Sequence, residues 1–225
     1  MSRALRKLHA FPFKSRCSEI LRGHSFLTLV HLLVRWFSCP FELLEPLVPA
    51  DGVVYDLGCG HGMMLKMLDS SLPDRVRLVG FDIDQDKIGF ARILNSSGRT
   101  RYEVRDIMTG PDTRDASCII LNDVLHLVPY PDQDKLLCAC HARLLSGGTL
   151  LIKEIDTLPA WKCHWAGIQE TLVNDVFHLT RGKGLCYQGR AVLVEILERS
   201  GFQVSVIQAH NGYPYSHIIY QCKKI

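Results

Sequence analysis

The sequence lacks the segments that direct a protein into or across a membrane. Its most apolar stretch, residues 26–37, contains His31 and Arg35 and falls well short of the roughly 20 apolar residues that span a bilayer. No small-residue cleavage site stands where a signal peptide needs one. We therefore expect the protein to stay in the cytoplasm.

Paired metal-ligand motifs are also missing. The nine cysteines are odd in number and scattered without CxxC pairs, so they form neither a disulfide framework nor a zinc ribbon. Cys138, Cys140 and His141 lie close together, but within a predicted helix and without a second cluster of ligands. We expect reduced, mostly buried thiols and no metal site.

A strong excess of charge of one sign is absent as well. The 26 Lys and Arg residues exceed the 23 Asp and Glu residues by three, which is too little to imply a nucleic-acid partner. The excess lies at the amino end, where residues 1–24 contain six Lys and Arg residues and a single acidic residue, Glu19. The six basic residues are Arg3, Arg6, Lys7, Lys14, Arg16 and Arg22.

The amino end leaves two hypotheses open. A basic segment joined to an apolar helix is typical of helices that lie on an anionic membrane surface, which would make residues 1–37 a peripheral membrane contact. Alternatively, the helix packs on the body of the protein and its charges are solvated. Neither hypothesis involves a nucleic acid, because the basic residues lack the interleaved aromatics of a strand-binding surface.

The elements that are present alternate in type after residue 50. Before it, helices broken by prolines suggest an amino-terminal helical cap over residues 1–50. We predict strands at residues 53–57, 77–81, 101–105, 116–121, 149–154, 203–208 and 216–222. We predict helices at residues 62–68, 85–94, 131–145 and 190–200.

This alternation predicts an α/β domain over residues 51–225. Parallel strands with right-handed crossovers place helices on both faces of the sheet. The last two strands are separated only by a turn-rich segment, so they should pair antiparallel. Residues 157–188 interrupt the alternation with a helical insertion, in which Trp161 and Trp165 begin an apolar stripe. The insertion is either a lid over an apolar acceptor or a helix docked on the sheet edge.

A glycine turn follows the first predicted strand. Gly58, Gly60 and Gly62 have G-x-G-x-G spacing, unlike the G-x-G-x-x-G of dinucleotide sites or the Gly-Lys-Ser/Thr of phosphate loops. Glycines allow a flat ligand to approach the backbone closely. Asp56, at the strand end, would repel a phosphate but is suited to positioning an ammonium group.

Further acids follow the next strands. Asp82 ends the second predicted strand, where a carboxylate accepts hydrogen bonds from both ribose hydroxyls. Asp106 follows the third and is placed to accept from an adenine amino group. Because the carboxyl ends of parallel strands meet at one edge, the acids match a nucleoside lying across that edge.

These motifs resemble those of the class I S-adenosylmethionine (SAM)-dependent methyltransferases, through residues 56–62, 81–84, 105–107 and 145–150. The resemblance implies a Rossmann-like, doubly wound, seven-stranded sheet whose last strand is antiparallel. It also implies that the glycine turn borders the methionine part of SAM, Ile83 packs on the adenine, and the Asn122 backbone lies near the sulfonium. The residues expected to hold SAM are Asp56, Gly58, Cys59, Gly60, Gly62, Asp82, Ile83, Asp106, Ile107 and Asn122.

The acceptor is less well specified than SAM. Segments 153–162 and 212–217 are similar to small stand-alone bacterial methyltransferases of aryl-polyene and lipid-like biosynthesis, which implies a small apolar, aromatic or acyl acceptor methylated at oxygen. A protein or RNA methyltransferase is the first alternative, although the Asn/Asp-Pro-Pro-aromatic motif of many base-directed and protein-directed enzymes is lacking. A non-catalytic SAM-binding module is the second.

Two residues are candidates for a catalytic base. His126 follows the fourth predicted strand, beside the expected reaction cleft, and histidine titrates near neutral pH. Glu154, near the end of the fifth strand with Asp156, is the next candidate. The alternatives are a helix-start or packing histidine for His126, and a salt bridge with Lys153 or another cationic neighbour for Glu154.

Overall fold

The computed structural model describes residues 26–95, 97–109, 115–156 and 186–225. The helices are α1 (Phe26–Ser38), α2 (Phe41–Leu44), α3 (Met63–Ser71), α4 (Gln85–Leu94), α5 (Tyr130–Arg143) and α6 (Arg190–Arg199). The strands are β1 (Val53–Leu57), β2 (Arg77–Asp82), β3 (Thr100–Val104), β4 (Ala116–Asn122), β5 (Leu144–Ile155), β6 (Phe202–Gln208) and β7 (His217–Lys224). Single 3₁₀ turns lie at Glu45–Leu47, Ile107–Thr109 and Leu125–Leu127.

The seven strands form one sheet in the order β3-β2-β1-β4-β5-β7-β6. The pairs β1–β2, β1–β4, β2–β3 and β4–β5 are parallel. Strand β7 lies between β5 and β6 and is antiparallel to both. The predicted α/β fold, with a mostly parallel sheet and an antiparallel last strand, is therefore confirmed.

Two apolar layers cover the sheet because its strands alternate their side chains between the faces. On one face Val54, Ile120 and Leu151 pack with residues of α1 to α4. On the other face Tyr55 and Ile119 pack with residues of α5 and α6. All five residues of β1 are buried, as expected for a central strand covered on both sides.

Helix α1 belongs to the first of these layers. Leu32 and Trp36 are buried in the same apolar cluster as Val54. The remainder of the predicted cap, residues 1–25, lies outside the described residues, as does residues 157–185 of the predicted insertion with Trp161 and Trp165. In the part of the chain that the structure describes, no helix has the length and hydropathy to cross a bilayer.

Candidate active site

A cleft of about 490 Å³ opens at the carboxyl ends of the parallel strands. The glycine turn lies on one side of it and the segment after β4 on the other. Of the residues expected to hold SAM, all but Gly62 line it, and so does His126. The sheet thus brings together residues that are distant in the chain, because each follows the end of a strand.

The three glycines of the turn all have left-handed backbone conformations, with φ of +78° at Gly58, +53° at Gly60 and +74° at Gly62. A Cβ on Gly58 would lie 2.4 Å from Val124, and one on Gly62 would lie 2.7 Å from the hydroxyl of Tyr102. These two positions need glycine for packing as well as for φ. A Cβ on Gly60 would instead point into open space, 4.0 Å from a carboxylate oxygen of Asp82.

Asp82 ties the glycine turn to the end of β2. Its Oδ2 accepts a hydrogen bond from the Gly60 amide at 2.8 Å, and its Oδ1 accepts one from the Asp84 amide at 2.9 Å. A carboxylate oxygen accepts more than one hydrogen bond. The two backbone amides therefore orient the Asp82 side chain in the cleft wall. Each of its oxygens can still accept a further hydrogen bond from a ligand.

The apolar residues beside the acids lie open at the mouth of the cleft. Ile83 is 54% exposed. Asp106 and Ile107 line the same cleft, and Ile107 begins a 3₁₀ turn. Asp106 Oδ1 accepts a hydrogen bond from the Met108 amide at 2.9 Å. Apolar and acidic side chains together form a wall suited to a flat, polar-edged ring.

Asp56 is a buried acid in the cleft floor. Burial raises the pKa of its carboxyl to about 7, with the Arg35 charge opposing the shift and the Asp82 charge adding to it. A cationic ligand beside this carboxyl would stabilise its ionised form, because a nearby positive charge favours ionisation of an acid.

The two candidates for a base contact each other. His126 Nδ1 lies 2.5 Å from Glu154 Oε2, and both side chains are buried. Glu154 Oε1 accepts a second hydrogen bond from the Leu125 amide at 2.8 Å. Lys153 binds Asp123 instead, so Glu154 forms no salt bridge with Lys153, and its ionisable partner is His126.

Residues 186–188, the described end of the predicted insertion, contact His126 and the segment around it. The Cys186 amide donates to the His126 carbonyl at 2.7 Å, and the ring of Tyr187 stacks on the His126 ring at 4.7 Å between centroids. Gln133 Nε2 contacts the carbonyls of Leu125, Val128 and Cys186 at 2.9–3.1 Å. Glu154 and Tyr187 therefore fix the His126 ring, and Cys186 fixes its backbone.

Sequence reasoning missed an ionic cluster beside Asn122. Lys153 Nζ donates to both oxygens of Asp123 at 2.6 and 2.7 Å. Arg35 of α1 lies 3.3 Å from Asp123 and 3.4 Å from the Asn122 carbonyl. The two cations hold the pKa of Asp123 well below its usual range, although burial opposes them. The local signal for this cluster in the sequence is the adjacent amide and acid, Asn122 and Asp123, at the end of β4.

His217 of β7 lines the same part of the cleft. Its Nε2 lies 2.6 Å from the Ser38 carbonyl, and a carbonyl only accepts, so Nε2 carries the hydrogen. Burial lowers the pKa of His217 to about 3, with Lys153 adding to the shift. The ring is therefore neutral, and its Nδ1 is a hydrogen-bond acceptor.

Comparison with known proteins gives the context of this cleft. A family model described as a methyltransferase domain matches residues 36–206. Carboxy-S-adenosyl-L-methionine synthases are similar: that of Chromohalobacter salexigens is 32% identical over 47% of this chain and 41% of its own length. That of Aliivibrio fischeri (strain MJ11) is 30% identical over 66% of this chain and 62% of its own length. The chain thus spans about two to three fifths of these relatives. The structure of human N-acetylserotonin methyltransferase in complex with SAM shares the fold, with a TM-score of 0.66 at 17% identity over 88% of this chain and 55% of that one.

Proposed function

The chain belongs to the methyltransferase domain family, and from this membership we propose that it transfers a methyl group from SAM to the oxygen of a small apolar, aromatic or acyl-type acceptor. The observation that carries the proposal is the shared cleft. The glycine turn, the strand-end acids and His126 all border one space of about 490 Å³, and Glu154 contacts His126 from outside that space. A methyl donor and an acceptor must meet in such a space.

The residues of the donor side fit SAM. Gly60 leaves open space where a side chain would stand, and Asp82 keeps acceptor capacity for ribose hydroxyls. Ile83 offers an exposed apolar surface for the adenine. Asp56 is suited to the ammonium group, because a cation favours its ionised form.

When bound, SAM supplies a methyl group already activated on a positive sulfur. The protein then has to align the acceptor and exclude water, and alignment alone contributes up to about 7–11 kcal/mol in ideal cases. In the neutral ring, Nδ1–H donates to Glu154, so the lone pair lies on Nε2. His126 is thereby prepared to take a proton from an acceptor hydroxyl, and Glu154 stabilises the charged ring that results.

The acceptor side supports an apolar substrate. Its wall contains aliphatic residues from the segment after β4 and from β5, together with Tyr215 before β7. These aliphatic residues are Val124, Leu127, Val128, Pro129 and Ile155. An apolar wall beside the His126 ring limits the access of water and retains the means to deprotonate a hydroxyl.

A product assay tests the proposal. The protein is incubated with SAM carrying an isotopically labelled methyl group and with pooled lipids, aromatic metabolites, peptides and RNA. We expect labelled methyl on a small apolar acceptor and S-adenosylhomocysteine in equal amount. Label on a peptide or on RNA would favour the first alternative. SAM binding without label transfer would favour a non-catalytic module.

A second candidate function comes from the names of the relatives. They are carboxy-SAM synthases, so this chain is also a candidate for replacing one hydrogen of the SAM methyl group with a carboxyl group from a second, carboxylic acid substrate, with the methyl proton passing to a base. The same assay distinguishes the two reactions by mass. Carboxylation keeps the labelled carbon on the sulfonium product, whereas methyl transfer leaves S-adenosylhomocysteine and labels the acceptor.

Affinity for SAM should rise with pH between about 5.5 and 7.5. The pKa of Asp56 is raised to about 7, so the carboxyl is mostly protonated at the low end and ionised at the high end. Because the cationic ligand binds the ionised form, binding releases a proton, and the slope approaches tenfold per pH unit below the free pKa. The pKa values of His31 and His61 are lowered by burial to about 4 and 3, so both rings stay neutral throughout.

Calorimetry in buffers of different ionisation enthalpy measures this proton release. The matched variant is Asp56→Asn, which keeps the shape of the side chain and removes its titration. Its affinity should be weaker and nearly flat over the same pH range. An unchanged pH dependence in this variant would assign the titration to another group.

A further inference from the structure

Helix α1 presents three different faces. At about 100° per residue, Leu32 and Trp36 fall on the face that packs into the core. His31, Arg35 and Ser38 fall on a second face and line the cleft. The third face is apolar and open to solvent. It consists of Phe26, Val30, Val34 and Phe37, here called the apolar stripe, which are 68%, 38%, 56% and 36% exposed.

The apolar stripe is continuous and adjoins the cleft. Its four residues fall within an arc of about 80° on the helix, so they form one surface along the 13 residues of α1. Val34 belongs both to the stripe and to the lining of the cleft. Large apolar surfaces that remain exposed next to a ligand site commonly mark an interaction surface.

The charge of the preceding segment indicates what the stripe binds. Directly before α1 the sequence carries six basic residues against Glu19. Anionic lipid headgroups attract such segments, and apolar side chains of an adjoining helix enter the headgroup–acyl boundary. A folded protein partner would not require this combination of a basic segment and an aliphatic and aromatic stripe.

We propose that the apolar stripe of α1 lies on an anionic lipid surface, with the mouth of the cleft facing that surface. The 13 described residues of α1 are too few to cross a bilayer, and the contact that we propose is peripheral. Because Val34 connects the stripe to the cleft, an acceptor with an acyl chain passes from the lipid into the cleft without crossing bulk water. The lipid contact itself does not depend on the proposed reaction.

Sedimentation with vesicles tests the proposal on the full chain. We expect binding to phosphatidylcholine vesicles that contain phosphatidylglycerol, and little binding to phosphatidylcholine alone. Phe26→Gln with Val30→Gln should reduce this binding at least tenfold. Neither residue lines the cleft, so SAM binding should be unchanged. The matched control, Ile93→Gln with Val192→Gln, replaces two similarly exposed apolar residues of α4 and α6 and should bind vesicles normally.

The basic residues are tested separately. Changing Arg3, Arg6 and Lys7 to Gln should lower binding to anionic vesicles by about a hundredfold, since each basic residue contributes about fivefold. High salt should have a similar effect. Thermal unfolding of each variant checks that the fold is intact.

Three results of the vesicle experiments would overturn the proposal, and so would one result on oligomeric state. One is the absence of sedimentation at low salt, and another is equal binding to neutral and anionic vesicles. The third is a loss of binding in the basic variant but not in the stripe variant. If the stripe variant instead dissolves a dimer seen by analytical ultracentrifugation, the stripe binds a second copy of this chain and the lipid assignment is wrong. SAM binding and turnover of a soluble acceptor report on the proposed function independently.

Discussion

Replacing His126 with alanine should lower the rate of methyl transfer to a hydroxyl acceptor by about 10²–10⁴-fold while affinity for SAM changes little. The size of this drop in rate is that expected for the loss of a positioned general base. The selective effect on rate follows from the geometry, because His126 contacts Glu154, Tyr187 and Cys186, none of which is among the residues expected to hold SAM. Single-turnover kinetics at saturating SAM measure the chemical step.

Glu154→Gln is the sharper companion variant. It keeps the volume of the side chain and an oxygen that accepts from the Leu125 amide. Its amide nitrogen would face His126 Nδ1 and donate to it, which moves the ring hydrogen to Nε2. The variant should therefore lose nearly as much rate as His126→Ala without leaving a cavity. If both variants retain most of their activity, the acceptor needs no base, as expected for a free amine or a carboxylate.

A large drop in SAM binding for His126→Ala would change the interpretation. It would assign the residue to cofactor positioning or to folding, because a base on the acceptor side does not contact the donor. Equilibrium binding and the thermal unfolding temperature separate these two cases.

Gly60→Val should lower affinity for SAM by more than about a hundredfold. The Cβ and its branches would fill the open space beside Asp82, and about 3 kcal/mol of steric conflict corresponds to that factor. The left-handed φ of +53° adds strain of about 1–2 kcal/mol for a residue with a Cβ. Affinity and stability must therefore be measured together, by calorimetry and by denaturant unfolding.

The chain provides a matched control for that strain. Gly147 has a φ of +73° and its Cβ would meet nothing within 4 Å, and it lies in β5 without lining the cleft. Gly147→Val should lose similar stability and keep normal SAM affinity. Equal losses of affinity in both variants would show that unfolding, not occlusion of the cleft, explains the Gly60 result.

Most of the fold follows from local patterns. The predicted strand 53–57 and helix 85–94 match β1 and α4 residue for residue, because a continuous buried run and a helix capped by Asp84 are signals carried by adjacent residues. Strand β5 begins at Leu144, earlier than predicted, since Gly147 and Gly148 have the composition of a loop. The early residues join the sheet through an irregular pairing of Ala116 with Leu144, which no local pattern indicates.

The site was predictable only where topology brings strand ends together. Asp56, Asp82 and Asp106 line one cleft because parallel strands end at the same edge. His126 and Glu154 were named as alternatives, and their contact depends on the packing of the turn after β4 against β5. Arg35 was named only as a charge within the apolar stretch and not as a cleft residue, since its contact with Asn122 joins residues 87 positions apart. Side-chain contacts between helices and strand ends leave no periodic trace in a sequence.

The position of β7 sets an order on the maturation of the protein at the ribosome. Strand β6 is synthesised before β7, yet its described pairing in the sheet is with β7 alone. Until β7 emerges, β5 has an open edge and β6 has no neighbour to pair with, and unpaired edges promote association between chains. His217 is the first residue of β7 and also lines the cleft. Closure of the sheet and completion of the cleft are therefore one event, and a nascent chain arrested before β7 is both prone to aggregate and incomplete as a binding site.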